Sequence, residues 1–433
     1  MASRSTRNAV QSFGSDERGA VAIIFGFLIV VLCLITGLAV DMGRILMART
    51  ALVDASDAAG LAVGRALMNG SSLADAEKAG YAFFEANIKN VGKVGAASPV
   101  PTIVTSQVNK SVAVNATVNV PMTLMQVGGF KSVAVPVRSE VKFDLKDLEV
   151  GVAIDITGSM NTSINGERKI DSLKKSFETF VKTLIPEEPT VGRKVRIGVA
   201  PYAPAINLGT FASKASDNRS ADGCVTERGT NSYSDFVPTG PNAFLVAKDG
   251  TKDQDPTQGK GAISYYCPTS RIVPLTDKRE TLIDNVNKFN AGGFTAGHVG
   301  AQWAWNLVSE DYAGFWGGDS QPDAYSKVKD KKLDKAVVFM TDGVFNTAFH
   351  HDTSFEQAAK LCEAMKKRGV LVFTLGFGLD SEPDLALRKK AKDSLRACAT
   401  PGPEYYVDAS NAVELDTAFK QFAAVLGKLR IAK

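Results

Sequence analysis

A stretch of 22 residues without a single charge, GAVAIIFGFLIVVLCLITGLAV (19–40), constrains this chain more than any other feature. As a helix rising about 1.5 Å per residue it is roughly 33 Å long, enough to cross the hydrocarbon core of a bilayer. The apolar region of a cleaved signal peptide is shorter, about 7–15 residues, and leads into a small-x-small cleavage pattern. No convincing pattern of that kind follows here, so the expectation is a retained transmembrane helix. Arg4, Arg7 and Arg18 precede it, whereas Arg44 and Arg49 follow. That bias puts residues 1–18 in the cytoplasm and the bulk of the chain on the far side.

Of the five cysteines, Cys33 lies inside this run, and Cys224, Cys267, Cys362 and Cys398 lie beyond it. An even number without CxxC spacing suits two disulfides and an oxidising compartment, with four free thiols as the alternative. The 433 residues, 45% hydrophobic and 22% charged, can bury a full core, and their length suggests two or three domains. A formal net charge of +4 implies no nucleic-acid partner. The lysine-rich run 327–335 is broken by acids and reads as a solvated loop.

Past the anchor the helical pattern continues. Ile45, Ala48, Leu52, Ala55, Ala59, Ala62 and Ala66 recur at three- and four-residue steps, giving one mostly alanine face. Gly70-Ser71-Ser72 ends the helix, and residues 73–89 read as a second, shorter one. In 111–120, valines alternate with Asn115, Thr117 and Asn119, the period of a half-buried strand. A second alternating run spans 133–143, where Pro136 suggests an edge. Residues 41–146 therefore read as a long helix leading into a small antiparallel sheet, a pilin-like layout.

From about residue 147 short apolar strands alternate with helices. The strand candidates are 148–154, 195–202, 335–341, 370–376 and 405–407. The helix candidates are 168–184, 278–290, 298–308, 354–368, 384–397 and 411–428. This order implies an α/β domain over 147–433, doubly wound around a mostly parallel sheet. Residues 207–270 and 311–332 interrupt it and read as polar surface insertions near one end of the sheet.

Three segments of this domain carry oxygen-bearing side chains at strand ends. AIDITGSM (153–160) puts Asp155, Thr157 and Ser159 at alternate positions after an apolar run. AGGFTAGH (291–298) is a glycine-rich loop carrying Thr295, and VVFMTDGVFN (337–346) ends a strand on Thr341-Asp342-Gly343. Strand C-termini are where open α/β sheets form ligand sites. Asp155, Thr157, Ser159, Thr295 and Asp342 are therefore expected to converge there.

D-x-T-x-S, a threonine after a glycine pair and a strand-terminal TDG together resemble the metal-ion-dependent adhesion site of a von Willebrand factor type A domain. Phe294, between Gly293 and Thr295, departs from the pattern, and Thr157 replaces the commoner serine while keeping its hydroxyl. The resemblance implies Mg²⁺, with Mn²⁺ or Ca²⁺ as alternatives, held by hydroxyls and one carboxylate directly and by the second carboxylate through water. A partner's acidic residue would complete the octahedron. The residue types suit it, since Mg²⁺ is hard and takes oxygen ligands.

The remaining sequence resembles TadG-type proteins of Tad (tight adherence) pilus assembly. The resemblance rests on DERGAVAIIFGFLIVVLCLITGLAVDMGRILMARTALVDASDAAGLA at the N-terminus, CPTSRIVPLT (267–276), TAGHVGAQWAWNLVS (295–309) and the Leu361-Cys362 and Ala397-Cys398 pairs. Pilins and TadE-type relatives carry a glutamate five residues after the processing glycine. Ile24 holds that place here, counted from Gly19, so cleavage is not expected. The likeness implies an inner-membrane, single-pass protein with its bulk in the periplasm and other pilus-assembly or envelope proteins as partners. Cys224 is expected to pair with Cys267, stapling the insertion, and Cys362 with Cys398.

Enzymatic activity is not expected. No G-x-S-x-G, H-E-x-x-H or GxxxxGK[ST] pattern occurs. A haloacid-dehalogenase-type phosphatase needs a carboxylate where Thr157 stands. His298, His350 and His351 are the only histidines, and the adjacent pair reads as a polar loop. Trp303 and Trp305 read as packing. A purely structural envelope scaffold with a silent metal site is the competing reading.

Overall fold

The computed structural model describes residues 18–68, 71–106, 110–142, 146–187, 193–220, 222–246, 267–349 and 352–428. The His350-His351 pair, Arg4 and Arg7 lie outside them. The chain divides into two compact units, the first ending at Phe143 and the second beginning at Asp144.

The first unit opens on α1 (Arg18–Met68), the one described helix that is long and apolar enough to cross a membrane. Residues 23–36 are exposed, whereas Ala48, Leu52, Ala55 and Ala59 are buried further along. Beyond Ala59 the buried positions are Val63 and Leu67 rather than the expected Ala62 and Ala66. The partner decides this. α2 (Leu73–Asn87) folds back so that Gly80 faces Val63, with no room for a Cβ between them.

Three antiparallel strands follow, β1 (Thr102–Ser106), β2 (Ser111–Pro121) and β3 (Ser132–Lys142), with β2 central. Pro136 sits on the edge strand, where its missing N–H costs nothing, and β1 is too short to stand out in the sequence. The β2–β3 hairpin is tied to α1 by Asp41. This fully buried carboxylate accepts from the N–H groups of Thr123, Leu124 and Met125 and from the Thr123 hydroxyl. Those hydrogen bonds, Thr123's first, hold it well below the usual carboxylate range.

The second unit is a mixed α/β body around an eight-stranded sheet. Its strands are β4 (Asp147–Asp155), β5 (Val195–Tyr202), β6 (Ile206–Asn207), β7 (Cys224–Val225), β8 (Val273–Thr276), β9 (Leu333–Thr341), β10 (Leu371–Phe377) and β11 (Tyr406–Ala409). The order is β11-β10-β9-β4-β5-β6-β7, parallel from β11 to β5, with β8 antiparallel on β5. Alternate residues of each strand feed two cores. Val150, Val152, Val338 and Phe373 join one with α3 (Lys169–Leu184), α4 (Arg279–Asn287) and α8 (Ala412–Lys428). Ala153, Tyr202, Val337 and Val372 join the other with α5 (Gly297–Val308), α6 (Ser354–Lys367) and α7 (Leu385–Cys398). Every predicted strand and helix of this unit is present to within a few residues.

Helix α5 is buried at all twelve positions. Such a helix needs cover on both sides, and the two interruptions supply it. Phe244 packs on Trp303 with ring centroids 4.7 Å apart, and Tyr312, Phe315 and Trp316 surround the same indole. Phe244, Tyr312, Phe315 and Trp316 thus belong to the core, although the composition of the two stretches suggests surface segments. Scattered aromatics among polar residues are enough to close a core, because each ring buries a large area. The remainder of the first stretch, 247–266, lies outside the described residues.

On its inner side α5 presses against β4. A Cβ on Gly151 would lie 2.0 Å from the Ala304 carbonyl oxygen. Gly151→Ala must push α5 off the sheet, and a loss of about 3 kcal/mol is expected. A lowered urea midpoint of the detergent-purified protein checks this, and an unchanged midpoint would contradict it. The disulfides Cys224–Cys267 and Cys362–Cys398 are both formed, pairing as the sequence suggests. Closing loops of 43 and 36 residues contributes about 4 kcal/mol each in the chain-entropy account.

Candidate metal centre

β4 and β9 are neighbours in register, so their C-terminal residues emerge side by side. Asp155 ends β4, and Asp342 directly follows β9. The loop after β4 is clamped to the glycine-rich loop. Gly158 N–H donates to Gly293 O at 2.9 Å, and Gly292 N–H to Ile156 O at 2.8 Å.

Three of the five predicted side chains, Thr157, Ser159 and Asp342, are hydrogen-bonded in a row, and Asp155 joins them through the Thr157 backbone. Thr157 Oγ1 and Ser159 Oγ are 2.9 Å apart, and Ser159 donates to Asp342 Oδ1 at 2.6 Å. Asp155 Oδ1 accepts from Thr157 N–H at 2.9 Å, and its Oδ2 accepts from the Thr341 hydroxyl at 2.8 Å. Thr295 is buried in the adjoining loop, held by Asn346 and Thr347 of the segment after Asp342. Its hydroxyl takes no part in that row. Asp155, Thr157 and Asp342 are buried, Ser159 is half-buried and Gly158 is exposed, so the site opens at 158–159.

Two buried carboxylates stand close enough to act on each other's charge. Burial, then the charge of Asp342, pushes the Asp155 carboxyl up to about 7. Burial raises Asp342 too, partly offset by Lys169 and Ser159. Lys169 was not foreseen. Its ammonium lies 3.0 Å from Asp342 Oδ2, and both side chains are almost fully buried. The signal was present, since Lys169 falls on the same helical face as Leu173, Phe177 and Phe180, a lysine on an apolar stripe. Thr341, part of the strand-terminal motif but not one of the five expected ligands, joins the cluster through Asp155. Among the described residues no group of three or more His, Cys, Asp or Glu gathers, so the cluster relies on hydroxyls for its remaining donors. An all-oxygen set of two buried carboxylates and neighbouring hydroxyls suits a hard divalent cation.

A second polar cluster has hydrolase residue types. His298 lies 2.9 Å from Ser354 Oγ and 2.8 Å from Glu227 Oε2. All three are buried, and the cavity beside them measures about 20 Å³, room for about one water. Glu227 Oε2 also accepts from the Gln357 amide and the Phe349 N–H, so the cluster is a hydrogen-bonded polar network within the core.

Similar solved structures include the pilus adhesin SpaC of Lactobacillus rhamnosus GG, 11% identical, covering 76% of this chain and 34% of that one at a TM-score of 0.39. The von Willebrand factor domain of the type V pilus tip protein Mfa5 of Porphyromonas gingivalis is 13% identical, covering 67% of this chain and 98% of that one at 0.40. Proximal thread matrix protein 1 of the mussel byssus, solved with a zinc-occupied MIDAS motif, is 14% identical, covering 66% and 48% at 0.33. This chain thus spans about a third of the length of SpaC. No curated protein is significantly similar in sequence.

Residues 19–66 match the family described as "Putative Flp pilus-assembly TadE/G-like".

Proposed function

We propose that this is a non-enzymatic, membrane-anchored component of Tad/Flp pilus assembly or anchoring. In this reading its C-terminal unit is a doubly wound, von Willebrand factor A-like domain that binds an acidic group of another envelope protein through a divalent cation. Asp155, Thr157, Ser159, Thr295 and Asp342 would hold the cation, Mg²⁺ first and Mn²⁺ or Ca²⁺ as alternatives. With hydroxyls as most of its ligands, a bound cation keeps enough positive charge to attract a further carboxylate. The observation that carries the reading is the meeting of Asp155, Thr157, Ser159 and Asp342 from two separate strand ends. Calorimetry of the detergent-purified chain with Mg²⁺, Mn²⁺ and Ca²⁺ tests the site. Capture of envelope partners with and without a chelator tests its use.

One observation favours the scaffold reading with a silent site. The Lys169 ammonium already gives Asp342 a counter-charge. Absence of binding by any of the three cations would leave that reading standing.

Residues 19–40 would be the anchor, with residues 41–433 in the periplasm. Two disulfides beyond the apolar run support this, since such bonds persist in oxidising compartments. A C-terminal alkaline phosphatase fusion is expected to be active and a cytoplasmic reporter fusion silent. The opposite pattern would reverse the topology.

A further inference from the structure

The hairpin between β2 and β3 (PMTLMQVGGFK, 121–131) has one charge, on Lys131, and no acid. Leu124 is 46% exposed and Phe130 57%, although both are large and apolar. They do not face open surroundings at random. Together with Met125 they line a groove of about 180 Å³ whose other wall is Leu34 and Leu38 of α1. Leu124 rests directly on Gly37, where a Cβ would come within 2.6 Å of Leu124 Cβ. Gly37 is three residues inside the end of the apolar run, about 4.5 Å of helix rise.

Six backbone N–H groups of this tip find partners on the tip itself or on Asp41 of α1. Asp41 takes the N–H groups of residues 123–125, Met122 donates to Lys131 O, Gly129 to Gln126 O and Phe130 to Met125 O. Loops at an aqueous surface have water for these groups. A loop entering an apolar medium must carry its own partners.

From these observations we infer that residues 122–131 form a second membrane element, seating Leu124 and Phe130 in the headgroup–acyl boundary of the bilayer that residues 19–40 cross. The inference rests on that reading of residues 19–40. The depth fits, because interfacial segments bury roughly 5–10 Å into the boundary. Lys131 is exposed at the base of the tip, and a lysine there can extend its ammonium toward lipid phosphates. The lipid-facing surface of α1 continues without a break through Leu34 and Leu38 onto the hairpin, which is why lipid is the occupant assigned to the groove.

Spin labels on Leu124→Cys and Phe130→Cys test this in the full chain with Cys33→Ser, reconstituted in phosphatidylethanolamine–phosphatidylglycerol vesicles. Leu28→Cys marks the span and Val100→Cys, 85% exposed, marks water. The oxygen-to-nickel-chelate accessibility ratio at both hairpin positions is expected to be several-fold above Val100→Cys and to approach Leu28→Cys. A bilayer-like Leu28→Cys with water-like hairpin labels would overturn the inference and spare the anchor. A water-like Leu28→Cys would remove the anchor and this inference with it. Spin–spin broadening with low access to both reagents would assign the groove to a second copy of the chain instead.

Discussion

Asp155→Ala is expected to abolish measurable Mg²⁺ binding while leaving the chain folded. Burial and the neighbouring Asp342 already push the Asp155 carboxyl up, so the acid pair works against the metal-free fold. Removing one member relieves that repulsion. What is lost locally is modest. Tyr202 keeps its hydrogen bond to Met340 O at 3.0 Å, and Thr341 keeps a contact to Gly343 O at 3.2 Å. Only the Thr157 N–H loses the partner recorded for it, a cost of about 1 kcal/mol. For metal the loss is large. Groups that act only behind the ligands change affinity by about 10–100-fold, and a carboxylate of the site itself should exceed that. Thr157→Ser, which keeps the hydroxyl, should bind nearly as wild type does.

From the sequence Asp342→Ala is expected to behave as Asp155→Ala does, but the structure separates them. Asp342 is the partner of the buried Lys169 ammonium, so Asp342→Ala strands a charge at a cost of about 3–5 kcal/mol. Lys169→Met is the informative companion. It removes a positive charge from beside the site and should tighten Mg²⁺ about tenfold, the scale of a partly screened repulsion. Calorimetry of wild type, Asp155→Ala and Lys169→Met decides the matter. Binding unchanged by Asp155→Ala would move the metal elsewhere, and affinity indifferent to Lys169→Met would mean that the ammonium does not compete.

Glu149→Ala is expected to destabilise the second unit by about 3–5 kcal/mol. Glu149 stands near the start of β4, at the other end of the strand from Asp155. Its Oε2 accepts from Lys335 Nζ at 2.5 Å, and its Oε1 accepts from Arg196 and from the Asp323 N–H. Lys335 has no exposed surface, and burial pulls its ammonium below the ordinary lysine range despite the glutamate. Without Glu149 two buried cations lose their shared anion. Domain stabilities are about 5–15 kcal/mol, so the loss is a large share. All three tryptophans, 303, 305 and 316, are buried in this unit, and their fluorescence during urea unfolding reads its stability. Glu149→Gln keeps an acceptor and should cost less. A wild-type midpoint for Glu149→Ala would show that water reaches the network.

The sequence determined whatever repeats locally or ends on a recognisable motif. The uncharged run 19–40, the alternation in 111–120 and the strand–helix sequence from 147 follow from periods of two and 3.6, which neighbouring residues report by themselves. The strand ends at Asp155 and Asp342 could be placed together because adjacent parallel strands must finish at one edge. Tertiary structure decided what depends on partners far along the chain. Lys169 meets Asp342 across 173 positions, and Asp41 reaches Thr123 across 82. Phe244, Tyr312, Phe315 and Trp316 became core only because α5 offered them a face to cover. No periodicity carries such information, because burial of a side chain is settled by which surface the topology brings to it.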